Sequence, residues 1–220
     1  MSELTLRILS AIVLLAVSLP LIWWGGLPFL VMCLVLSGLL AYELLGIYRS
    51  NTDEFQTHKI AWAVGGIVYA LIPVICLPAI RGAVTPPGLY LLLLLFLSVW
   101  VTDIAAYFSG RYFGGPKLLP RVSPKKTWSG ALGGLLGAMI VGGVLALMVN
   151  GLSIAWCVVG AGILSVFSQA GDLLESWGKR RFGVKDSSNL IPGHGGFLDR
   201  VDGLLIAALP MALYVLLTVN

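Results

Sequence analysis

The chain has 220 residues, of which 58% are hydrophobic and only 11% are charged, and its mean hydropathy is +0.96. A soluble domain of this length carries more charge, and a disordered chain has fewer apolar residues, so both classes are excluded. The formal net charge of +4 reports first on membrane topology in so apolar a chain, and no nucleic-acid partner is expected. The composition therefore predicts an all-α protein, a polytopic helical bundle integral to the membrane.

Apolar stretches of about 20 residues, the length that crosses a bilayer, predict seven transmembrane helices. In chain order these spans cover residues 6–24, 27–48, 60–80, 88–108, 129–149, 152–174 and 203–219. The first run resembles the apolar core of a signal peptide, but no small-residue cleavage site follows Trp24, which favours a retained span. We interpret residues 1–220 as a single membrane domain.

Basic residues are concentrated in one set of connections between the spans. With the N-terminus in the cytoplasm, the connections 49–59, 109–128 and 175–202 lie on the same side as Arg7, and only Arg81 falls on the far side. The positive-inside rule therefore gives a single orientation. The polar chemistry is expected at the cytoplasmic face.

The segment 103–130 is richer in glycine, proline and cations than a connector requires. Its Lys125 and Lys126, flanked by the hydroxyls of Ser123 and Thr127, offer donors to phosphate oxygens. On spacing alone, an alternative stays open: these cations enforce topology or contact anionic lipid head groups.

A polar stripe enters the membrane along the sixth span. Spacings of three and four residues place most of its members on one helical face: Ser165, Ser168, Gln169, Asp172, Glu175, Ser176 and Lys179. A charged side chain at the centre of a span costs about 2.5–3.5 kcal/mol on insertion scales. Asp172 is therefore a candidate functional residue, and a solvated helix end is the alternative.

The connection that follows combines carboxylates, cations and glycines. Asp186, Asp199 and Asp202 are hard oxygen ligands suited to Mg²⁺, and the neighbouring Lys and Arg side chains suit phosphate. Asp199 and Asp202 also have a structural interpretation, as acids in the first turn of the last span. His194 could donate to a phosphate, carry a proton or serve only in packing.

Two further acids, Glu43 in the second span and Asp103 near the end of the fourth, could face the same polar interior. Their spacing assigns them no role. The sequence has no G-x-x-x-x-G-K-[ST], G-x-G-x-x-G, H-E-x-x-H or G-x-S-x-G motif. A nucleotide site would therefore have to be specific to membrane proteins.

One stretch is recognisable as a family motif. Ser176-Trp177-Gly178-Lys179-Arg180, Lys185-Asp186-Ser187-Ser188 and the run from Leu190 to Asp202 closely resemble the signature of phosphatidate cytidylyltransferases, also called CDP-diacylglycerol synthases. The run Ser123-Pro124-Lys125-Lys126-Thr127-Trp128 resembles that family's second cytoplasmic block. Gly178 and Ser129 depart from the usual pattern without replacing a proposed ligand. By this resemblance, residues 1–90 are expected to form the N-terminal spans and residues 91–220 the catalytic region.

The resemblance implies transfer of a cytidylyl group from CTP to phosphatidic acid, giving CDP-diacylglycerol and pyrophosphate, at the cytoplasmic face of a bacterial inner membrane. It implies Mg²⁺ as cofactor, held by Asp172 and Asp199. The catalytic residues that it implies are Asp172, Lys185, His194, Asp199 and Arg200. The substrate-binding residues are Asp103, Ser123, Lys125, Lys126, Thr127, Ser176, Lys179, Arg180, Asp186, Gly195, Gly196 and Asp202.

Two other functions stay open. An enzyme acting on a different lipid acceptor would share the same phosphate chemistry, and a transporter would also place charges within interrupted helices. The glycines at positions 133, 134, 137, 142 and 143 suit either a homodimer or close packing within one chain.

Overall fold

The computed structural model describes residues 3–84, 86–191 and 195–218, and the side chains of all of these except 3–9 and 11. Helices dominate, as predicted. In chain order the elements are α1 (Glu3–Trp24), α2 (Gly26–Ser50), α3 (Thr52–Thr57), α4 (Lys59–Arg81), α5 (Gly88–Phe113), β1 (Lys117–Leu119), β2 (Ser123–Thr127), α6 (Trp128–Met148), α7 (Ile154–Arg181) and α8 (Leu198–Thr218).

Six helices in the described part of the chain are long and apolar enough to cross a membrane, namely α2, α4, α5, α6, α7 and α8. They correspond to six of the seven predicted spans, so the all-α membrane fold is confirmed. The apolar part of α1 with described side chains, Ile12–Trp24, is shorter than 18 residues. Its membrane crossing stays a prediction.

Several boundaries differ from those predicted. Helix α5 continues to Phe113, α7 continues to Arg181, and α8 already begins at Leu198. Hydropathy marks only the part of a helix that suits lipid, whereas the backbone hydrogen bonds continue into the polar ends. Ser176 and Lys179 are therefore helical, as the polar stripe of the sixth span predicted, and Arg180, which the sequence placed only in a connection, is helical too.

The predicted connection 109–128 contains a small antiparallel hairpin that the sequence analysis missed. In it Lys117 pairs with Thr127 and Leu119 with Ser123. A proline and two lysines in β2 obscure the usual strand pattern. The hairpin matters because its second strand carries all four of the predicted phosphate-binding side chains.

The chain divides into two compact units, each built from two segments. Unit 1 comprises residues 1–78 and 177–201, and unit 2 comprises residues 79–176 and 202–220. The predicted boundary at residue 90 stays a prediction.

Unit 1 is held partly by aromatic contacts. The Tyr48 ring lies 5.2 Å from that of Phe55 and 5.3 Å from that of Phe182, and Trp62 lies 5.0 Å from Phe182 and 5.6 Å from Trp177. These rings join α2, α3 and α4 to the end of α7, which positions the segment that follows Arg181.

Unit 2 depends on close contact between α5 and α6. A Cβ added to Gly134 would lie 2.9 Å from the carbonyl oxygen of Thr102, and one added to Gly137 would lie 2.8 Å from Ala105 Cβ. At the other end of α6, a Cβ on Gly142 would lie 2.7 Å from Ala161 Cβ. Small residues thus allow the helices to pack within one chain.

Replacing Gly134 by Leu should disrupt this packing, because the carbonyl of Thr102 cannot move away cheaply. We expect the free energy of unfolding to fall by about 1–3 kcal/mol, measured as a lower thermal midpoint in detergent. Gly38→Leu is the control, since an added Cβ at Gly38 has no heavy atom within 4 Å. Equal midpoints for the two variants would contradict the packing account.

Candidate active site

Unit 2 contains a cavity of about 620 Å³ among α5, the hairpin, α6 and α7. This volume lies within the range of small-molecule sites, about 300–1,000 Å³. The charged residues that line it are Asp103, Arg111, Lys117, Lys125, Lys126 and Asp172. Within the described part of the chain, the lining has four cations and two carboxylates, and this excess of two positive charges favours an anionic ligand.

Helix α5 lines the cavity with residues three or four positions apart, as one helical face requires. This face includes Asp103, Tyr107, Gly110 and Arg111. The Tyr107 hydroxyl accepts a hydrogen bond of 2.9 Å from Arg111 Nη1. The guanidinium is thereby oriented on the same face as Asp103.

The hairpin is attached to the helices at both ends. At its start, Gly114 and Gly115 have φ values of +61° and +95°, a region in which glycine is favoured. At its end, Thr127 caps α6, because its Oγ1 accepts from the Gly130 amide at 3.1 Å. The Ser129 hydroxyl donates to the Gly114 carbonyl, which joins the two ends. The adjacent Lys125 and Lys126 are therefore presented to the cavity.

One ion pair spans the cavity. Lys126 Nζ lies 2.6 Å from Asp172 Oδ2, and the two side chains are 31% and 20% exposed. This partial access leaves the Asp172 carboxylate within reach of a ligand in the cavity. The pair connects β2 to α7.

More acidic groups lie near Asp172 within unit 2. Asp202 shares a side-chain hydrogen bond with Asp172 and lies within electrostatic range of Glu175. A Cβ added to Gly203 would lie 2.9 Å from Asp172 Oδ1 and 2.6 Å from Ser168 Oγ. Only glycine at position 203 lets α8 approach this carboxylate so closely.

In unit 1, Lys179 and Asp199 form a second ion pair with a distance of 2.5 Å. Both side chains are almost buried, at 9% and 10% exposed. The other oxygen of Asp199 accepts from the amides of Ser187 at 3.1 Å and Gly196 at 3.0 Å. Asp199 is therefore held by α7 and by two positions of the connection that precedes α8, Ser187 in its interior and Gly196 near its end.

Glu43, to which the sequence assigned no role, also lies in unit 1, where it accepts several hydrogen bonds. Its carboxylate is 1% exposed and accepts from the amides of Phe197 at 2.8 Å and Leu198 at 2.7 Å. The hydroxyls of Ser187 and Ser188 also donate to it. Glu43 therefore belongs with the residues around Asp199.

The remaining predicted residues lie in varied environments. Arg180 is exposed and donates to the Val184 carbonyl at 2.9 Å, which stabilises the end of α7. Ser123 and Ser176 are partly buried, whereas Lys185, Asp186 and Arg200 are exposed. Gly195 has a φ of +82°. His194 lies outside the described residues.

The sequence left open that Asp199 and Asp202 lie in the first turn of the last helix and serve only to favour its dipole. The structure places only one of them in that turn. Asp199 is in the first turn of α8. Asp202 lies beyond that turn, because the helix begins five residues earlier than the predicted span. The first-turn prediction is therefore wrong for Asp202, which lies beside Asp172 instead.

Sequence reasoning missed Arg111 and Lys117 as cavity residues, since it treated them only as topology signals. The spacing of Arg111 from Asp103, two helical turns, was the available signal for the first. Lys117 had none, because its placement depends on the unpredicted hairpin. The donors to Glu43 could not be found either, as Ser187 and Glu43 are 144 residues apart.

Comparisons with known proteins agree with this picture. A model of the cytidylyltransferase family matches residues 50–218. Proteins named phosphatidate cytidylyltransferase are similar to this chain. The one from Brucella suis biovar 1 is 38% identical, over 97% of this chain and 94% of the relative. Those from Rickettsia bellii and Staphylococcus haemolyticus are 34% identical over 94% of this chain and 88% of the relative, and 37% identical over 90% of this chain and 74% of the relative, respectively. The resemblance noted at residues 123–128 and 176–202 is thus confirmed, and the chain belongs to the cytidylyltransferase family.

Proposed function

We propose that this protein transfers the cytidylyl group of CTP to phosphatidic acid, giving CDP-diacylglycerol and pyrophosphate. The observation that carries the proposal is the cationic cavity of unit 2, with the Lys126–Asp172 pair at 2.6 Å, in a member of this family. The relatives named above support the choice of phosphatidate as acceptor.

The reaction makes one bond and breaks one bond. A phosphate oxygen of phosphatidate forms a bond to the α-phosphorus of CTP, and the bond from that phosphorus to the oxygen that bridges the α- and β-phosphates breaks, so that this oxygen leaves as a terminal oxygen of pyrophosphate. The acceptor is already anionic near neutral pH, so it needs little base catalysis. The protein has to bring two polyanions together and stabilise the charge on the leaving pyrophosphate.

The cations of the cavity suit that task. One of these cations, Arg111, belongs to α5, and the others belong to the hairpin, namely Lys117, Lys125 and Lys126. All four line the same cavity. A guanidinium binds phosphate oxygens through two parallel donors, whereas an ammonium acts as a point charge. We assign these side chains to the phosphates of the two substrates, with Thr127 fixing the end of the hairpin that carries them.

The predicted metal ligands fit Mg²⁺ by their chemistry. Asp172 and Asp199 are hard oxygen donors, and each holds a cation here, the ammonium of Lys126 or Lys179. No group of three His, Cys, Asp or Glu side chains suited to a metal occurs in the described part of the chain. Mg²⁺ usually takes only one or two carboxylates together with waters and substrate phosphates. Bound Mg²⁺ would neutralise charge on the phosphates that react.

The residues of the signature segment, defined as 176–202, are assigned to substrate by resemblance. Lys185, Arg200 and Arg180 would contact phosphate oxygens, with Asp186 and Asp202 supporting the acidic ligands. Gly195 would present a backbone donor, Gly196 would support the site by donating its amide to Asp199, and His194 would donate to the nucleotide or pyrophosphate. Ser123 and Ser176 complete the proposed substrate contacts.

We also place the enzyme in a bacterial inner membrane with its site facing the cytoplasm, where CTP is available. The Lys and Arg distribution of the sequence supports this orientation. A homodimer stays a prediction, because Gly134, Gly137 and Gly142 all have neighbours within the same chain.

Asp172→Asn and Asp199→Asn should each lower kcat by about 10²–10³-fold, the loss typical of removing one group that stabilises the transition state electrostatically. Activity should be titrated with Mg²⁺ in detergent, alongside thermal midpoints that show the variants to be folded. Asp53→Asn, at an exposed position of α3, is the matched control. Wild-type turnover in folded Asp199→Asn would overturn its assignment to the metal.

Lys126→Ala should raise the KM for CTP about tenfold or more, because a hydrogen bond to a charged group contributes about 1.5–3 kcal/mol. If Lys126 binds the ground state and the transition state equally, kcat changes little. Initial rates at varied CTP concentration measure this, with Lys59→Ala, an exposed lysine at the start of α4, as control. Unchanged KM and kcat in Lys126→Ala would reject its phosphate role.

A further inference from the structure

Glu43 lies outside the predicted catalytic set, yet it is among the most completely buried polar side chains in the described part of the chain. Its exposure is 1%, and it belongs to α2, an apolar helix long enough to cross a membrane. A carboxylate in such a place persists only if donors satisfy it, since an unsatisfied buried charge strongly destabilises a fold. The identity of those donors therefore indicates what Glu43 does.

Among the described residues, Glu43 has four donors, and all of them come from the signature segment. Oε1 accepts from the Phe197 amide at 2.8 Å and from the Ser188 hydroxyl. Oε2 accepts from the Leu198 amide at 2.7 Å and from the Ser187 hydroxyl at 3.0 Å. An ionised carboxylate has about four acceptor sites, so this single segment fills the capacity of Glu43.

Two of these donors belong to the start of α8. Leu198 is its first residue, and the first amides of a helix have no partner within the helix. Glu43 supplies that partner from α2, and its negative charge suits the positive end of the helix dipole. Because Asp199 is the next residue along, the point at which α8 begins determines where the Asp199 carboxylate lies.

One serine donor, Ser187, connects Glu43 to Asp199 directly. Ser187 Oγ lies 3.0 Å from Glu43 Oε2 and 3.2 Å from Asp199 Oδ2. A hydroxyl has one proton to donate, so Glu43 competes with Asp199 for it. The packing is also tight, since a Cβ added to Gly196 would lie 2.8 Å from Glu43 Oε1.

We propose that Glu43 is a positioning residue for the transfer reaction: it fastens the signature segment and the start of α8 to α2, and so fixes the orientation of Asp199. It acts through Ser187, Phe197 and Leu198 and contacts no substrate. This inference rests on the proposed function only in assigning Asp199 to the reaction.

Three variants separate positioning from simple stabilisation. Glu43→Gln keeps the size but replaces one acceptor oxygen by an NH₂ group, which cannot accept from the two donors on that side. Glu43→Asp keeps both oxygens and loses one methylene of reach. Leu40→Ala is the control, because Leu40 is fully buried in the same helix and its loss destabilises α2 without removing a donor or acceptor.

For Glu43→Gln we expect kcat to fall about 10–100-fold, the loss that follows removal of a residue supporting a metal ligand, and the half-saturating Mg²⁺ concentration to rise. The KM for CTP should stay near that of wild type. Glu43→Asp should recover part of the rate, and Leu40→Ala should lower the thermal midpoint while keeping kcat per folded molecule. A kcat for Glu43→Gln equal to that of a stability-matched Leu40→Ala would overturn the proposal.

Amide hydrogen exchange on metal-free protein provides a readout that does not depend on activity. Glu43→Gln should accelerate exchange in peptides covering 195–200, while peptides covering the hairpin, 117–127, stay as in wild type. If exchange is faster in Glu43→Gln but the wild-type protein transfers no cytidylyl group, the anchoring by Glu43 is supported and the proposed function is rejected. Unchanged exchange at 195–200 would reject the anchoring itself, whatever the rates.

Discussion

The arrangement of the polar residues depends on one constraint, that a carboxylate within an apolar helix bundle must be matched by donors. Asp172 meets it with the ammonium of Lys126, Asp199 with that of Lys179, and Glu43 with amides and hydroxyls of the signature segment. Taking a charge out of water costs several kcal/mol, which only close, well-oriented partners offset. The partners are therefore held in fixed places, and the elements that carry them are held too. The hairpin is tied to α7 in this way, and the start of α8 is tied to α2.

Hydropathy determines which parts of the structure could be predicted from the sequence. The six long helices follow from hydropathy, because the apolar runs have the length that a bilayer demands. The ends of α5, α7 and α8 could not be located in the same way, since beyond the apolar core a helix continues through backbone hydrogen bonds that composition does not mark. The hairpin was missed because Pro124 and the lysines around it resemble a connector.

Some site residues could likewise be found from the sequence, whereas their partners could not. Asp172 was found because a charge in a span is conspicuous, and the signature segment was found by resemblance. The partners of these residues were not, as the pairing of Lys126 with Asp172 joins positions 46 residues apart and that of Glu43 with Ser187 joins positions 144 apart. A single sequence shows which polar side chains need partners, whereas only the fold shows which partners they have. The excess of cations in the unit 2 cavity likewise became visible only once Arg111 and Lys117 were placed beside Lys125.

We propose that the cationic cavity and the paired carboxylates serve cytidylyl transfer onto a membrane lipid. The most direct measurement supplies purified wild-type protein with phosphatidic acid, Mg²⁺ and CTP labelled at either the α- or the γ-phosphate. Lipid extraction and pyrophosphate release are then followed together. We predict that α-label enters the lipid phase in equal amount to the pyrophosphate released, that γ-label stays in pyrophosphate, and that removal of Mg²⁺ stops both. Entry of γ-label into lipid would mean phosphoryl transfer, and absence of lipid label from folded protein would contradict the account.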